Sequence, residues 1–214
     1  MTRLLFIRHG QSESNLNGSF TGSTDIALTE LGLQQAAVTA DYIVNHYAID
    51  GVYASDLQRA FHTGKAVADR LGMTVHTHRG LREIFAGKWE GQFFTHLLAA
   101  YPETFARVWR YDIGNSVCDG GESVAQLMQR VSAAVREIAD ANPGKALVIA
   151  THATPIRCME CFCQGKPLSY MKDIPWVTNA SVTEIRYEDG VFTEIVSSYN
   201  QHLTGMVSTL PANV

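Results

Sequence analysis

Short apolar runs alternate with longer amphipathic stretches along this chain, and the alternation predicts strands and helices in βαβ order. The predicted strands cover residues 3–8, 51–54, 73–76, 145–150, 181–187 and 191–197. The predicted helices cover residues 29–46, 56–71, 95–110 with an interruption at Pro102, and 122–141. This order is typical of a three-layer α/β/α fold with a mostly parallel central sheet.

The C-terminal part of the chain departs from the βαβ pattern. Asp189 and Gly190 separate the last two strand-like runs, and Asp-Gly is a strong signal for a two-residue hairpin, so we expect an antiparallel edge there. Residues 200–214 are predicted to be an irregular tail. No repeat or long linker marks a second unit, so residues 1–214 are expected to form a single α/β domain with a helical insertion at about 92–120.

Composition and charge narrow the class of protein. A chain of 214 residues with 46% hydrophobic and 18% charged residues can bury a sizeable core. The formal net charge of −4 and the lack of a basic run predict no nucleic-acid partner and no membrane partner. The apolar run at residues 4–7 is too short for a signal peptide or a membrane span. We therefore expect a cytoplasmic protein, and the sequence leaves a homodimer open.

Three of the four cysteines, Cys158, Cys161 and Cys163, crowd into one apolar stretch, and Cys118 lies far away in the sequence. This distribution fits reduced thiols better than disulfides. The spacing resembles part of a zinc site, but a fourth ligand is not visible. Buried structural cysteines are therefore the favoured interpretation, and no metal site is predicted.

Polar residues stand where two predicted strands end. The first strand runs into Arg8, His9 and Gly10, and the strand at 145–150 runs into Thr151 and His152. In open α/β sheets the ligand crevice lies beyond the carboxyl ends of the strands. One histidine in such a place is an ordinary polar strand end, but two of them beside an arginine and a glycine favour a functional site.

The run Leu-Phe-Ile-Arg-His-Gly-Gln-Ser-Glu-Ser-Asn at residues 5–15 resembles the opening signature of the histidine phosphatase superfamily, the phosphoglycerate mutase-like group. Further blocks of that pattern follow in order at residues 20–36, 55–63, 81–83 and 151–153. The resemblance covers about residues 4–199. It implies a phosphatase or mutase that acts on a phosphate ester.

The residue types suit phosphoryl transfer, which needs a nucleophile, clustered cationic donors and an acid for the leaving oxygen. His9 is expected to attack phosphorus and form a phosphohistidine, with its other ring nitrogen donating to a carbonyl. Arg8 and Arg59 can hold phosphate oxygens with their planar forks. Glu83 is expected to protonate the leaving oxygen and then to activate water.

The resemblance implies further contacts with the substrate. Asn15 would donate its side-chain amide, and the turn of Thr21 and Gly22 would offer backbone N–H groups. His152, if protonated, would add a third cationic donor, with Ala153 beside it in the same block. Because cationic side chains can hold the phosphate, we expect no metal and no cofactor.

Two other features have open roles. The segment at residues 87–91 resembles the aromatic segment that follows the acid in this family, and Trp89 either roofs the site or belongs to the core. Arg107 and Arg110 would share one face of a helix, directed either toward an anionic substrate or, as we favour, into solvent. Asn179 also fits the family pattern, and we expect a structural role for it.

Three functions compete. The favoured one is a phosphatase for a small phosphomonoester, such as an α-ribazole phosphatase or a broad-specificity enzyme, with phosphopeptides also open. A phosphoglycerate mutase is disfavoured, because the span from Glu83 to Gly120 is short and has no adjacent arginine pair. An inactive binding module is disfavoured because the chain keeps the whole set of residues that the chemistry needs.

Overall fold

A computed structural model describes residues 1–208, and residues 209–214 lie outside the described part. Within it, six strands form one sheet in the order β3-β2-β4-β1-β5-β6. The strands are β1 (Thr2–Arg8), β2 (Gly51–Ala54), β3 (Val75–Thr77), β4 (Ala146–Thr151), β5 (Val182–Glu188) and β6 (Val191–Tyr199). The first four are parallel, whereas β5 and β6 add an antiparallel edge, as predicted.

The strand β1 lies at the centre of the sheet and divides the core in two. Leu4 and Phe6 point into the larger core, whereas Leu5 and Ile7 point into the smaller one, and all four are fully buried. Successive side chains of a strand point to opposite faces, so a continuous apolar run is what a strand covered on both faces requires.

Helices cover both faces of the sheet, which confirms the predicted three layers. They are α1 (Glu13–Asn17), α2 (Glu30–His46), α3 (Gln58–Leu71), α4 (Phe94–Ala100), α5 (Pro102–Ala106), α6 (Val124–Asp140) and α7 (Ala153–Cys163). The helices α2 and α3 pack on the face of Leu5 and Ile7, and α6 and α7 pack on the face of Leu4 and Phe6. None of the helices in residues 1–208 has the length and the hydropathy that a membrane crossing requires.

Local signals explain where the main helices begin and end. The Thr29 hydroxyl accepts a hydrogen bond from the N–H of Gly32 at 3.0 Å and caps α2. Ser123 and Gln126 form a reciprocal capping box at the start of α6. Gly72 ends α3 with φ of 65°, a left-handed conformation that glycine adopts without strain.

The predicted helical insertion contains α4, α5 and a π-helical turn, Arg107–Tyr111. Pro102 does not interrupt one helix but begins a separate one, because proline fits the first helical position, where no intrahelical N–H bond is needed. Phe105 and Val108 bury these short helices against the larger core.

Two parts of the structure differ from the sequence prediction. The pattern predicts no helix after His152, yet α7 begins at Ala153, with Pro155 in its first turn. Its residues Cys158 and Cys161 are fully buried, as expected of structural thiols. In the tail that was predicted as irregular, Gln201–Leu203 forms a 3₁₀ turn, and Leu203 is completely buried. Residues 209–214 of that prediction lie outside the described residues.

Candidate active site

The two histidines meet because their strands are neighbours. The parallel strands β1 and β4 pair Arg8 with Thr151, so the residues that follow, His9 and His152, lie at the same edge of the sheet. Their rings pack edge to face with centroids 5.1 Å apart. The first turns of α3 and α7 lie at this edge as well, and they bring Arg59 and Ala153 to the same place.

His9 is held in one tautomer. Its Nδ1 lies 2.7 Å from the carbonyl oxygen of Gly10, and since a carbonyl only accepts, Nδ1 carries the hydrogen. Burial, with Arg59 and Arg8 nearby, lowers the pKa of His9 well below its usual value. The ring is therefore neutral near pH 7, and its Nε2 holds a free electron pair.

Two buried guanidinium groups flank His9. Arg8 is 3% exposed and Arg59 is 1% exposed, and burial lowers the pKa of each to about 10, so both stay charged at neutral pH. Arg59 donates to the carbonyls of Gly22 and Thr24, each at 2.8 Å. Arg8 donates to the carbonyl of Val177, and its buried Nε has no partner among the described residues. Such unpartnered donors suit an incoming phosphate.

Hydrogen bonds to its side-chain oxygen hold Asn15 in one orientation. That oxygen accepts from the backbone N–H of Ser12 and from the side-chain amide of Asn179, each at 3.1 Å. The amide group of Asn15 is thereby left as a donor at the cavity. Asn179 also donates to the carbonyl of His9 at 3.0 Å, so the residue expected to be structural ties two site residues together.

Glu83 is the carboxylate that faces this cluster. Its Oε1 accepts from the N–H of Ile84 at 2.8 Å, and its Oε2 accepts from the N–H of Thr154, in the first turn of α7, at 3.3 Å. Arg130 donates to the Glu83 carbonyl at 3.3 Å and pairs with Glu122, which fixes the backbone here. Glu83 therefore stands in a defined orientation between two elements.

The loop of Thr21 and Gly22 is held by Glu90, which lies in the segment 87–91 but had no role of its own in the sequence prediction. The carboxylate of Glu90 accepts from the N–H groups of Ser23 at 2.7 Å and Ala86 at 3.1 Å, and so joins this loop to the segment after Glu83. Gly22 has φ of 53°, and an added Cβ would meet Oε1 of Glu90 at 2.5 Å. Only glycine fits this position without strain.

His152 differs from the expected cationic donor. It is fully buried, and burial together with Arg59, His9 and Arg8 lowers its pKa well below the usual value, so the ring is neutral. Its Nε2 lies 2.9 Å from the Ser55 hydroxyl. The ring packs edge to face with that of His9 and is not among the residues that line the cavity described next.

A cavity of about 420 Å³ opens at this edge of the sheet. The other residues predicted for the site all line it: Arg8, His9, Asn15, Thr21, Gly22, Arg59, Glu83 and Ala153. Trp89 does not line it; the indole is buried in the larger core and stacks on Phe105 with centroids 5.6 Å apart. Of its two proposed roles, the core role is the one observed.

Other cavity-lining residues were missed or misjudged from the sequence. Arg107 and Arg110 are both exposed, as favoured from the sequence, but only Arg110 also lines the cavity, whereas Arg107 pairs with Asp112. Arg157 and Trp176 also line the cavity. Arg157 lies one helical turn beyond Ala153, so a prediction of α7 would have drawn attention to it.

Comparison with known proteins identifies the family. The model of the histidine phosphatase superfamily (branch 1) matches residues 4–200. The chain belongs to this superfamily. Phosphoserine phosphatase 1 of Hydrogenobacter thermophilus is a relative with 30% identity over 189 residues, or 88% of each chain. Glucosyl-3-phosphoglycerate phosphatase of Mycolicibacterium vanbaalenii is 30% identical over 207 residues, or 90% of each chain.

The fold of this chain matches that of a solved structure. The phosphoserine phosphatase of Entamoeba histolytica, in complex with 3-phosphoglyceric acid, superposes with a TM-score of 0.84 at 28% identity. The match covers 95% of this chain and 100% of that one. The recognised resemblance and the predicted fold are thereby confirmed.

The buried neutral state of His152 predicts a pH dependence of stability. An unfolded histidine takes up a proton below about pH 6.5, whereas folded His152 does not, so stability is present above that pH and is lost as the pH falls below it. One such group contributes a slope of at most about 1.4 kcal/mol per pH unit. Urea unfolding between pH 5 and 7.5 should give a shallower slope for His152→Gln than for His62→Gln, whose side chain is exposed. Equal slopes would contradict the assignment.

Proposed function

We propose that this chain is a metal-independent phosphatase that hydrolyses small phosphomonoesters through a phosphohistidine on His9. The observation that carries the proposal is the state of His9. Its Nδ1 is fixed on the Gly10 carbonyl, and burial beside two arginines keeps Nε2 unprotonated. A neutral, oriented imidazole next to cationic donors is the arrangement that nucleophilic attack on a phosphate ester needs.

In the first step, Arg8, Arg59 and the Asn15 amide hold the phosphate oxygens. Nε2 of His9 attacks phosphorus, a P–N bond forms, and the P–O bond to the alcohol breaks in line with it. Glu83 acts as the general acid and gives its proton to the leaving oxygen. The alcohol departs, and the phosphoryl group stays on His9.

In the second step, Glu83 is a carboxylate and accepts a proton from water as the water oxygen attacks phosphorus. The P–N bond breaks, inorganic phosphate forms, and His9 returns to its neutral state with Nδ1 still donating to Gly10. Glu83 thus serves as acid and base in turn, which its fixed place between the N–H groups of Ile84 and Thr154 allows.

His152 has a different part in this mechanism from the cationic one expected. It contacts the His9 ring and the Ser55 hydroxyl but does not line the cavity, so we assign it to positioning the nucleophile. Arg8 and Arg59 already supply charge at the phosphate, which is the part that a metal ion plays in other phosphoryl-transfer sites. The proposal therefore includes no cofactor.

The names of the relatives support this choice of reaction, because proteins named as phosphatases of phosphoserine and of glucosyl-3-phosphoglycerate match most of the length of this chain. A mutase remains the second candidate. Arg110 and Lys172 line the cavity mouth, and cations there could hold the second anionic end of a bisphosphorylated intermediate. The aromatic side chains that also line the cavity, such as Trp109 and Phe94, favour the phosphatase.

The nucleophile is tested by His9→Ala. This change should lower kcat on the order of 10³-fold or more and abolish a phosphoenzyme that is labile to acid and stable to base. Rapid quenching with labelled substrate measures the phosphoenzyme, and His62→Ala is the comparison variant. Label recovered on an aspartate, serine or cysteine would show that His9 is not the nucleophile.

The acid is tested by Glu83→Gln. Loss of the proton donor should slow glycerol 3-phosphate by about 10²- to 10⁴-fold, but para-nitrophenyl phosphate far less, because nitrophenolate leaves without protonation. Steady-state kcat on both esters measures the difference. Glu137→Gln, with an exposed side chain, should slow neither ester. Equal losses on the two esters would remove Glu83 from the acid role.

The phosphatase and the mutase are separated by their products. Enzyme is incubated with 3-phosphoglycerate and a trace of 2,3-bisphosphoglycerate. A phosphatase should release mainly glycerate and inorganic phosphate, because water reaches the phosphohistidine before the intermediate reorients. A large excess of 2-phosphoglycerate over released phosphate would establish the mutase instead.

A further inference from the structure

Arg157 is a third buried cation in the cavity, beyond the two that flank His9. Its side chain is 4% exposed and lies on α7 one turn beyond Ala153. Its Nη2 donates to the carbonyls of Ile174, at 3.0 Å, and Met171, and its guanidinium stacks 4.1 Å from the ring centroid of Trp176. The Nε is buried without a partner among the described residues. The mechanism above does not use this group.

The excess of positive charge in the cavity favours a ligand with more than one anionic group. The lining carries the cations Arg8, Arg59, Arg110, Arg157 and Lys172, but only the carboxylates Glu83 and Asp173. The chain as a whole has a net charge of −4, so this excess of positive charge is local.

The three buried arginines donate to backbone carbonyls rather than to carboxylates within residues 1–208. A buried cation that is not paired with a carboxylate is costly, and burial lowers the pKa of Arg157 despite the opposing effect of Glu160 and Glu83, neither of which is hydrogen-bonded to it within residues 1–208. A phosphate dianion offsets the charges of Arg8 and Arg59, beside the nucleophile. Arg157 is left over, and a second negative group on the ligand would offset it.

Aromatic side chains form the rest of the cavity wall: Phe20, Phe94, Phe105, Trp109 and Trp176. Several of them contact one another, with Phe20 6.0 Å and Trp176 6.1 Å from Trp109 between ring centroids. Such a wall accepts the carbon part of a substrate and excludes water from the charged groups around it.

We infer that the substrate of this chain is a phosphomonoester that also carries a carboxylate, and that Arg157 binds this carboxylate. The inference rests on the proposed function and adds the class of substrate to it. A carboxylate fits better than a second phosphate, because its single charge matches one guanidinium, two of whose donors are already engaged by carbonyls. Arg157 is then a specificity residue, and Arg8 and Arg59 serve the phosphate that reacts.

The test compares pairs of esters that differ only in the carboxylate. One pair is 3-phosphoglycerate and glycerol 3-phosphate, and the other, with a longer spacer, is para-carboxyphenyl phosphate and para-(hydroxymethyl)phenyl phosphate. Release of inorganic phosphate gives kcat/KM for each. In at least one pair the carboxylate ester should be favoured by about 10- to 100-fold, the contribution of a hydrogen bond between desolvated charged groups.

Arg157→Gln should remove most of that preference, whereas Arg157→Lys, which keeps the charge but not the fork, should retain part of it. Arg136→Gln is the matched control. Arg136 also donates to a backbone carbonyl, that of Gly190 at 3.0 Å, and stacks on Phe192 at 5.3 Å, but it lies outside the cavity. This variant should keep the wild-type preference.

The possible results separate the inference from the proposed function. Hydrolysis of para-nitrophenyl phosphate with no preference in either pair would overturn the inference and leave the phosphatase standing. Equal losses on both members of each pair in Arg157→Gln would show that Arg157 only ties residues 171–176 to α7, which also overturns it. A preference in wild-type protein that Arg157→Lys partly keeps would support it even where Arg157→Gln does not fold. No hydrolysis of any ester would end both proposals.

Discussion

The site depends on the burial of positive charge around one histidine. Arg8 and Arg59 are almost fully removed from water, and their field together with burial holds His9 neutral. Surface arginines would be screened by solvent and would neither lower the pKa of His9 nor bind phosphate as strongly. The same desolvation that makes the arginines costly to bury therefore keeps His9 in the neutral state that the proposed nucleophile requires.

The rest of the fold offsets that cost with backbone carbonyls aimed at the arginines. The carbonyls of Gly22 and Thr24 accept from Arg59, and the carbonyl of Val177 accepts from Arg8. Those loops are fixed in turn by polar side chains, the half-buried Glu90 on one side and the buried Asn179 on the other. Donors that are already oriented need little rearrangement when charge moves in the transition state.

The cavity is divided by chemistry into a polar floor and an aromatic wall. The floor lies at the ends of β1 and β4 and contains the residues proposed to react, whereas most of the wall comes from the insertion and from the segment after α7. Arg157 connects the two regions, since it extends from α7, stacks on Trp176 and reaches the cavity. Changes in the insertion can alter what is bound without disturbing the floor, as is usual where loops on a rigid sheet carry specificity.

The sequence alone determined the order of the six strands and of the long helices α2, α3 and α6, the antiparallel edge at Asp189 and Gly190, and most of the residues that meet at His9, because apolar periodicity and short polar motifs are local in the chain. Tertiary structure alone decided the protonation of His9 and His152, since burial and neighbouring charges come from residues far away in the sequence. It also decided that Trp89 belongs to the core and that Arg110 reaches the cavity rim. Arg157 was missed because helix α7 was not predicted, and only the packing of α7 against Trp176 and the cavity removes its side chain from water.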